Sequence, residues 1–250
     1  MKLRFNYLAV LFLCLFVQGV SAQIAGDGTD NWEYVAEIYL WGANVDVTNP
    51  DGSSSEIRFT DLAQDLELGF MAALGAQRGN WLLLADFIYL DVDDDVEDQV
   101  LPGVELKTLG LEGWIINGAV GYRIHESERH TLQTLAGARY LWLEAPLTFR
   151  FDDPLPPGRE KISESEGFVD GVVGFRGHWR FSPKWYLTYH ADVGTGDSDT
   201  TWQGLGAIVY RFDNFDAVLG YRYLDWSLDD DEPLQDLNLS GVFAGIKFIF

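Results

Sequence analysis

Apolar residues in this chain alternate. No stretch beyond residue 22 approaches the roughly 18 to 20 consecutive apolar residues that a membrane-crossing helix requires, although 47% of the chain is hydrophobic. From Trp32 to Leu40, the set Trp32, Tyr34, Ala36, Ile38 and Leu40 shares one face of an extended chain, and Glu33, Val35, Glu37 and Tyr39 share the other. The same period of two runs through Trp81 to Tyr89, Leu132 to Trp142, Val169 to Trp179, Trp185 to Val193, Ala217 to Tyr223 and Val242 to Phe250. In these segments Asp86, Arg139, Asp170, Arg176, Asp192, Arg222 and Lys247 sit opposite the apolar set. A period of two specifies strands, so the chain reads as all-β.

A soluble sandwich also alternates, and what separates the two cases is where the aromatic residues fall. Trp32, Trp81, Trp179 and Trp185 mark one end of their strands, while Trp41, Trp114, Trp142, Trp202 and Trp226 mark the other. That is the distribution of two interfacial girdles, and Trp32, Trp81, Trp142, Trp179, Trp185, Trp226 and Phe250 are expected to form them. Trp32 and Trp41 would stand roughly 23 Å apart in depth at a 40° strand tilt, close to the apolar band of about 25 Å. Their odd separation puts Trp41 on the opposite face, where it would cap the interior.

Short links at Gly79-Asn80, 124–130, 181–184 and Asp213-Asn214 alternate with longer ones at 49–65, 94–107, 152–166, 194–200 and 229–236. This rhythm predicts a closed antiparallel up-and-down transmembrane β-barrel. About ten strands are expected, near 32–48, 66–78, 81–93, 108–123, 131–150, 167–180, 185–193, 201–212, 215–228 and 237–250; eight or twelve would also keep the count even. Both termini would then lie on the side of the short turns, the periplasm. Closure is the one β arrangement that leaves no unpaired edge in lipid.

The first 22 residues have the form of a cleaved secretory signal peptide. Lys2 and Arg4 precede an apolar run from Tyr7 to Val17, and Val20-Ser21-Ala22 supplies small residues for cleavage, leaving 23–250 as a single barrel domain. Bulky Leu13 before Cys14 argues against a lipidated cysteine. Cleavage would remove the only cysteine and two basic residues, leaving 15 basic against 39 acidic residues and a net charge of −24. Such a chain lacks the Lys and Arg clusters that nucleic acid requires.

Tyr39-Leu40-Trp41-Gly42, Phe59-Thr60-Asp61-Leu62 with Leu66, Gly137-Ala138-Arg139-Tyr140 and Gly220-Tyr221-Arg222-Tyr223-Leu224-Asp225 resemble a group of uncharacterised proteobacterial outer-membrane β-barrel proteins. The likeness spans nearly all of 23–250. It implies location and fold and offers no catalytic residues to carry over. The terminal strand, ending Ile246, Phe248, Phe250, is similar to the signature read by the bacterial barrel-assembly machinery.

The alternation turns Glu37, Asp86, Asp170 and Asp192 inward together with Arg139, Arg176, Arg222 and Lys247. Equal numbers of opposite charges predict a salt-bridged plug that fills the interior; the competing expectation is a selectivity ring around a narrow passive channel. Inward Gly137, Gly174, Gly220 and Gly245 would relieve crowding or leave a passage. His190 and Asp192 share a strand face near the expected outer rim, a spacing open to a polarised base, but nothing around them matches a catalytic motif and no enzyme is expected. No cofactor is expected beyond weak calcium or magnesium at the acidic loops, through Asp93, Asp94, Asp95, Asp230 and Asp231. Such ions would bridge to lipopolysaccharide phosphates. Outer-membrane lipid and lipopolysaccharide are therefore the expected partners, with a structural or envelope-interaction role.

Overall fold

A computed structural model describes residues 31–48, 54–57, 66–101, 104–151, 158–228 and 235–250. The segment expected to be a signal peptide lies outside these residues. The chain forms strands β1 (Glu33–Thr48), β2 (Ser54–Ile57), β3 (Leu66–Arg78), β4 (Trp81–Leu101), β5 (Val104–Glu126), β6 (His130–Phe151), β7 (Gly158–Arg180), β8 (Trp185–Gly196), β9 (Thr200–Arg211), β10 (Asp216–Ser227) and β11 (Asp236–Ile249). From β3 to β11 each strand pairs antiparallel with the next in sequence. β11 then returns to β1 in unbroken register from Val35↔Ile249 to Thr48↔Asp236. β1 pairs with β3 over Glu33–Ile38, and β2 takes up the free edge further along, at Val45–Thr48. The wall is thus a closed barrel of ten strands with β2 as a short addition.

Strand order and centres follow the alternation, and the departures lie in length. β4, β5 and β7 run 21, 23 and 23 residues, past the expected 81–93, 108–123 and 167–180, whereas β6, at 22 residues, departs from 131–150 by one residue at each end. Asp93, Asp94 and Asp95, expected in a loop, are strand residues paired with Gly110, Leu109 and Thr108. A ladder between two backbones needs no apolar face, so a run of carboxylates can be strand while reading as loop. Asp230 and Asp231 lie outside the described residues.

At the end holding both termini the turns are tight. Gly79-Asn80 joins Arg78 to Trp81 as a two-residue hairpin, with a positive φ of 57° at Gly79 that glycine adopts without a Cβ penalty. Asp213-Asn214 lies in a short turn closed by Phe212 N–H donating to Phe215 C=O at 2.9 Å.

The barrel is inside out. Leu40, Leu74, Val173, Ile208, Leu219 and Val242 stand exposed on the outer wall, Leu40 by 71%. Aromatic rings gather near both rims of this band. At the terminal end Trp32, Trp81, Trp179, Trp185 and Phe250 are exposed, with Trp81 against Tyr122 at 5.0 Å and Trp185 against Tyr210 at 4.7 Å. Toward the other end Trp114 lies 4.3 Å from Tyr89 and opposite Trp142 in the ladder, and Trp202 stacks on Tyr223 at 4.5 Å. Trp226 corrects the expected girdle: it is 0% exposed and shares the inner face of β10 with Arg222 and Leu224. An even step from Arg222 fixes that face, whatever the ring's position along the strand.

The inward glycines relieve crowding. A Cβ on Gly137 would stand 2.0 Å from Gly118 O, and on Gly174 2.2 Å from Ala191 O; on Gly220 and Gly245 it would meet neighbours at 2.6 and 2.8 Å. Gly118, on the outer face, has nothing within 4 Å. Gly137→Ala is therefore expected to cost about 1–3 kcal/mol by overpacking, whereas Gly118→Ala should leave stability within about 0.5 kcal/mol. Urea midpoints of the two refolded variants, read from gel mobility of the compact form, check the contrast.

Candidate functional site in the barrel lumen

All eight charged residues expected inside project from the inner face, but they form separate groups. At mid-depth six side chains from six strands close a ring of hydrogen bonds. Arg139 on β6 donates through Nη2 to Asp192 Oδ1 at 2.6 Å and through Nε to Asn117 Oδ1 at 2.8 Å. Asn117 Nδ2 donates to Asp86 Oδ2 at 3.3 Å, and the same oxygen pairs with Arg222 Nη2 at 2.8 Å. Arg222 Nε donates to Gln203 Oε1 at 3.0 Å, and Gln203 Nε2 donates to Asp192 Oδ2 at 3.3 Å, which completes the circuit. Tyr39 joins from β1, donating to Asp86 Oδ1 at 2.6 Å and accepting from Arg222 Nη1 at 3.1 Å. Arg139 and Arg222 are 0% and 2% exposed.

On the side away from the termini the ring is covered by apolar packing. Trp41, Val45, Met71, Ile88, Ile115, Leu141, Phe168, Leu224, Trp226, Leu237 and Phe243 belong to one buried cluster. Two cation–π contacts couple it to the ring: Arg139 lies 5.8 Å from the Trp226 ring and Arg222 5.0 Å from the Trp41 ring. Trp41 Nε1 donates to Gly241 O at 3.2 Å, while Trp226 Nε1 has no hydrogen-bond partner among the described residues.

On the terminal side the lumen opens into a cavity of about 650 Å³, walled at its mouth by residues such as Glu33, Glu126, Glu128, Arg180 and Ile249. Inside it, Asp216 gathers three partners. It accepts from Tyr186 Oη at 2.5 Å and lies 3.4 Å from Lys247 Nζ and 3.6 Å from Arg211 Nε. Lys247 also donates to Tyr186 Oη. Glu37 and Arg176 face the cavity without a direct bond to each other.

Asp170 belongs to none of these groups. It is in register with Arg139, yet its Oδ1 accepts from Ser198 N at 3.0 Å and Ser198 Oγ at 2.8 Å, so it anchors the turn between β8 and β9. His190 bonds Asp192 at 2.5 Å, but this pair sits at the inner limit of the cavity, not at the outer rim, and Arg139 holds the other Asp192 oxygen. Among the described residues no cluster of three or more His, Cys, Asp or Glu could hold a metal.

Asn117, Gln203, Tyr39 and Asp216 escaped the sequence reading. The first three are uncharged, so a balance of charges passes over them; their polarity at inward positions of otherwise apolar stretches was the available signal. Asp216 lies an even number of steps before Arg222 on β10, so the alternation that turns Arg222 inward was the available signal for it.

No known protein family and no curated protein matches the sequence. Among solved structures, the chain resembles the translocator domain of the autotransporter NalP from Neisseria meningitidis. The identity is 14% over 91% of this chain and 90% of that one, with a TM-score of 0.48. It also resembles Ail, the attachment invasion locus protein of Yersinia pestis, in complex with the heparin analogue sucrose octasulfate. There the identity is 14% over 89% of this chain and 100% of that one, with a TM-score of 0.40. The toluene transporter TodX of P. putida matches at 7% identity over 90% of each chain, with a TM-score of 0.33. At such values the likeness is one of barrel architecture and says nothing of ligand.

Removing one member of a buried pair leaves its partner uncompensated, at a typical loss of about 3–5 kcal/mol. Arg139→Ala and Arg222→Ala are each expected to destabilise the barrel on that scale. Arg176→Ala breaks no bond made in the structure and should keep the compact form. Heat-modifiability on gels, with urea titration of each variant, distinguishes the two behaviours.

Proposed function

We propose that this chain is an integral β-barrel of a Gram-negative outer membrane, with both termini in the periplasm and a lumen that does not conduct. On this reading it has a structural or envelope-interaction role toward outer-membrane lipid and lipopolysaccharide, and enters the membrane through the barrel-assembly machinery. The apolar outer wall between two aromatic rims supports the membrane setting, because lipid can cover such a surface without loss. Short turns at the terminal end and long strand extensions at the other support the orientation.

The observation that carries the non-conducting reading is the hydrogen-bonded ring of Arg139, Asp192, Gln203, Arg222, Asp86 and Asn117 beneath a buried apolar plug. A hydrated passage would require breaking Arg139–Asp192 at 2.6 Å and Arg222–Asp86 at 2.8 Å, then moving Trp41 and Trp226. The cavity on the terminal side is then a blind pocket open to the periplasm.

Refolded protein in a planar bilayer should give no discrete conductance steps; repeated unitary openings would overturn the closed-lumen reading and restore a narrow passive channel. Orientation has a separate check. A cysteine placed near residue 154 should react with an impermeant maleimide on whole cells, and one placed in the 213–214 turn should react only after the outer membrane is opened.

A further inference from the structure

The cavity has two unlike sides. From β3 to β6 its middle is lined by small and apolar groups, Ala73, Gly75, Leu82, Leu84, Ala119 and Leu135, with Asp86 at the floor and Gln77, Thr131, Gln133 and the Arg123–Glu126 pair nearer the mouth. From β7 round to β11 the wall carries Arg176, His178, Arg211 and Lys247. At about 650 Å³ the space falls within the range of small-molecule pockets.

The cations on that wall are unequally served. Arg211 and Lys247 share Asp216. Arg222, at the inner limit, is held by Asp86. Arg176 projects from β7 between Gln133 on β6 and His190 on β8. Its guanidinium makes no hydrogen bond or ion pair recorded among the described residues. Glu37 acts through space on it and on Lys247. The groups acting on Arg176 are thus Glu37, Tyr186, Lys247 and its strand neighbour His178. The Arg176 guanidinium fork offers an anion in the cavity two parallel N–H donors.

We propose that the cavity is a binding site for a small organic monocarboxylate, its carboxylate taken by the Arg176 guanidinium and its apolar body laid against Leu82, Leu84, Ala119 and Leu135. This deepens the closed-lumen reading, since a pocket with a floor can retain what a channel would pass. The ring beneath is that floor. Its polar atoms are already paired with one another, so selectivity falls to Arg176 and the apolar wall. A neutral amide of the same shape loses the charge-assisted pair.

Ligand-observed NMR on the full-length protein in detergent provides the test, with benzoate as a soluble acid, dodecanoate as a lipid-derived acid and benzamide as the neutral isostere. Wild type should bind at least one of the acids, and benzamide about tenfold more weakly or not at all, as expected for loss of a charge-assisted hydrogen-bond pair. Arg176→Gln should lose about tenfold for the same acid, and Arg176→Lys should recover part of it. Benzoate binding would assign a soluble acid, and dodecanoate binding alone a lipid-derived one. Acid and amide bound equally by wild type, or no acid bound, would overturn the proposal, and neither outcome depends on the variants folding. Binding unchanged in a folded Arg176→Gln variant would overturn it too. Bilayer conductance fails or succeeds independently: a conducting barrel with Arg176-dependent binding would sink the closed-lumen reading and keep the site, while a silent barrel without such binding would do the reverse.

Discussion

Every backbone N–H and C=O in a lipid-facing wall must find its partner within the wall, and the ladder between β1 and β11 is where this chain meets that demand. Without it, ten strands would form a sheet with two open edges, each a row of unsatisfied donors and acceptors. With it, Tyr34 and Phe250 exchange backbone hydrogen bonds at 2.8 and 3.1 Å, the start of β1 and the end of β11 are neighbours, and the strand count is even. Closure also fixes which face of each strand looks inward. A slip of one residue would carry Arg139 and Arg222 into the lipid and Leu40 and Leu219 into the lumen, so the register is enforced by the cost of exposing the wrong side chains on either face.

Closing a barrel creates an interior that must be filled, and this one is filled in two chemically different layers. Guanidinium groups as deeply buried as Arg139 and Arg222 would be costly if unpaired, and Coulomb attraction alone does not reliably repay their desolvation. What compensates here is saturation. Arg139 reaches Asp192, Asn117 and also Thr201, the last at 2.8 Å, and Arg222 reaches Asp86, Gln203 and Tyr39. A circuit in which each member both fixes and is fixed by its neighbours resists partial opening, because breaking one link strands two groups. The indoles of Trp41 and Trp226 then present π faces to the same guanidinium groups, so the apolar layer rests on the polar one without a seam of unpaired charge.

How far the sequence carried this picture follows from what each signal reports. Period-two alternation reports which face a residue occupies; the eight charges it turns inward lie on the inner face, and Trp32, Trp81, Trp179 and Trp185 are exposed. It does not report depth, because strand tilt and stagger are set by neighbours far away in sequence; Trp226 was misread on exactly that ground of end position over face. Nor does it report pairing. Arg139 and Asp170 lie opposite one another in the ladder, yet Ser198, 28 residues further on, takes the Asp170 oxygen, and Asp192 from β8 takes Arg139. The neutral Asn117 and Gln203 complete the ring because amides can donate and accept at once, a property invisible to any sum of charges. The acidic run of β4 reads as loop by composition, yet a backbone ladder needs no apolar side chain and Asp93, Asp94 and Asp95 lie within one.

The charge of the chain and the charge of its lumen differ. Acidic residues outnumber basic ones 39 to 17, yet Arg139, Arg176, Arg211, Arg222 and Lys247 all face inward. Inward acids, Glu37, Asp86, Asp170, Asp192 and Asp216, match them in number, so the interior is nearly neutral while the chain as a whole carries the acidic excess. Outside, an anion is repelled in proportion to that excess, within a screening length of about 8 Å at physiological salt. Inside the cavity the same anion lies beyond most of that field, next to cations in a setting where water screens less. Four of those five cations already hold carboxylates supplied by the barrel, and their arrangement is accounted for by the ring and by Asp216. Arg176 is the one left facing open space. Had its role been only to balance Glu37, a direct bond between them would have been the cheaper solution, since a paired ion buries less uncompensated charge than two apart. A guanidinium without a direct partner beside a cavity of ligand size is what the barrel's own stability does not explain.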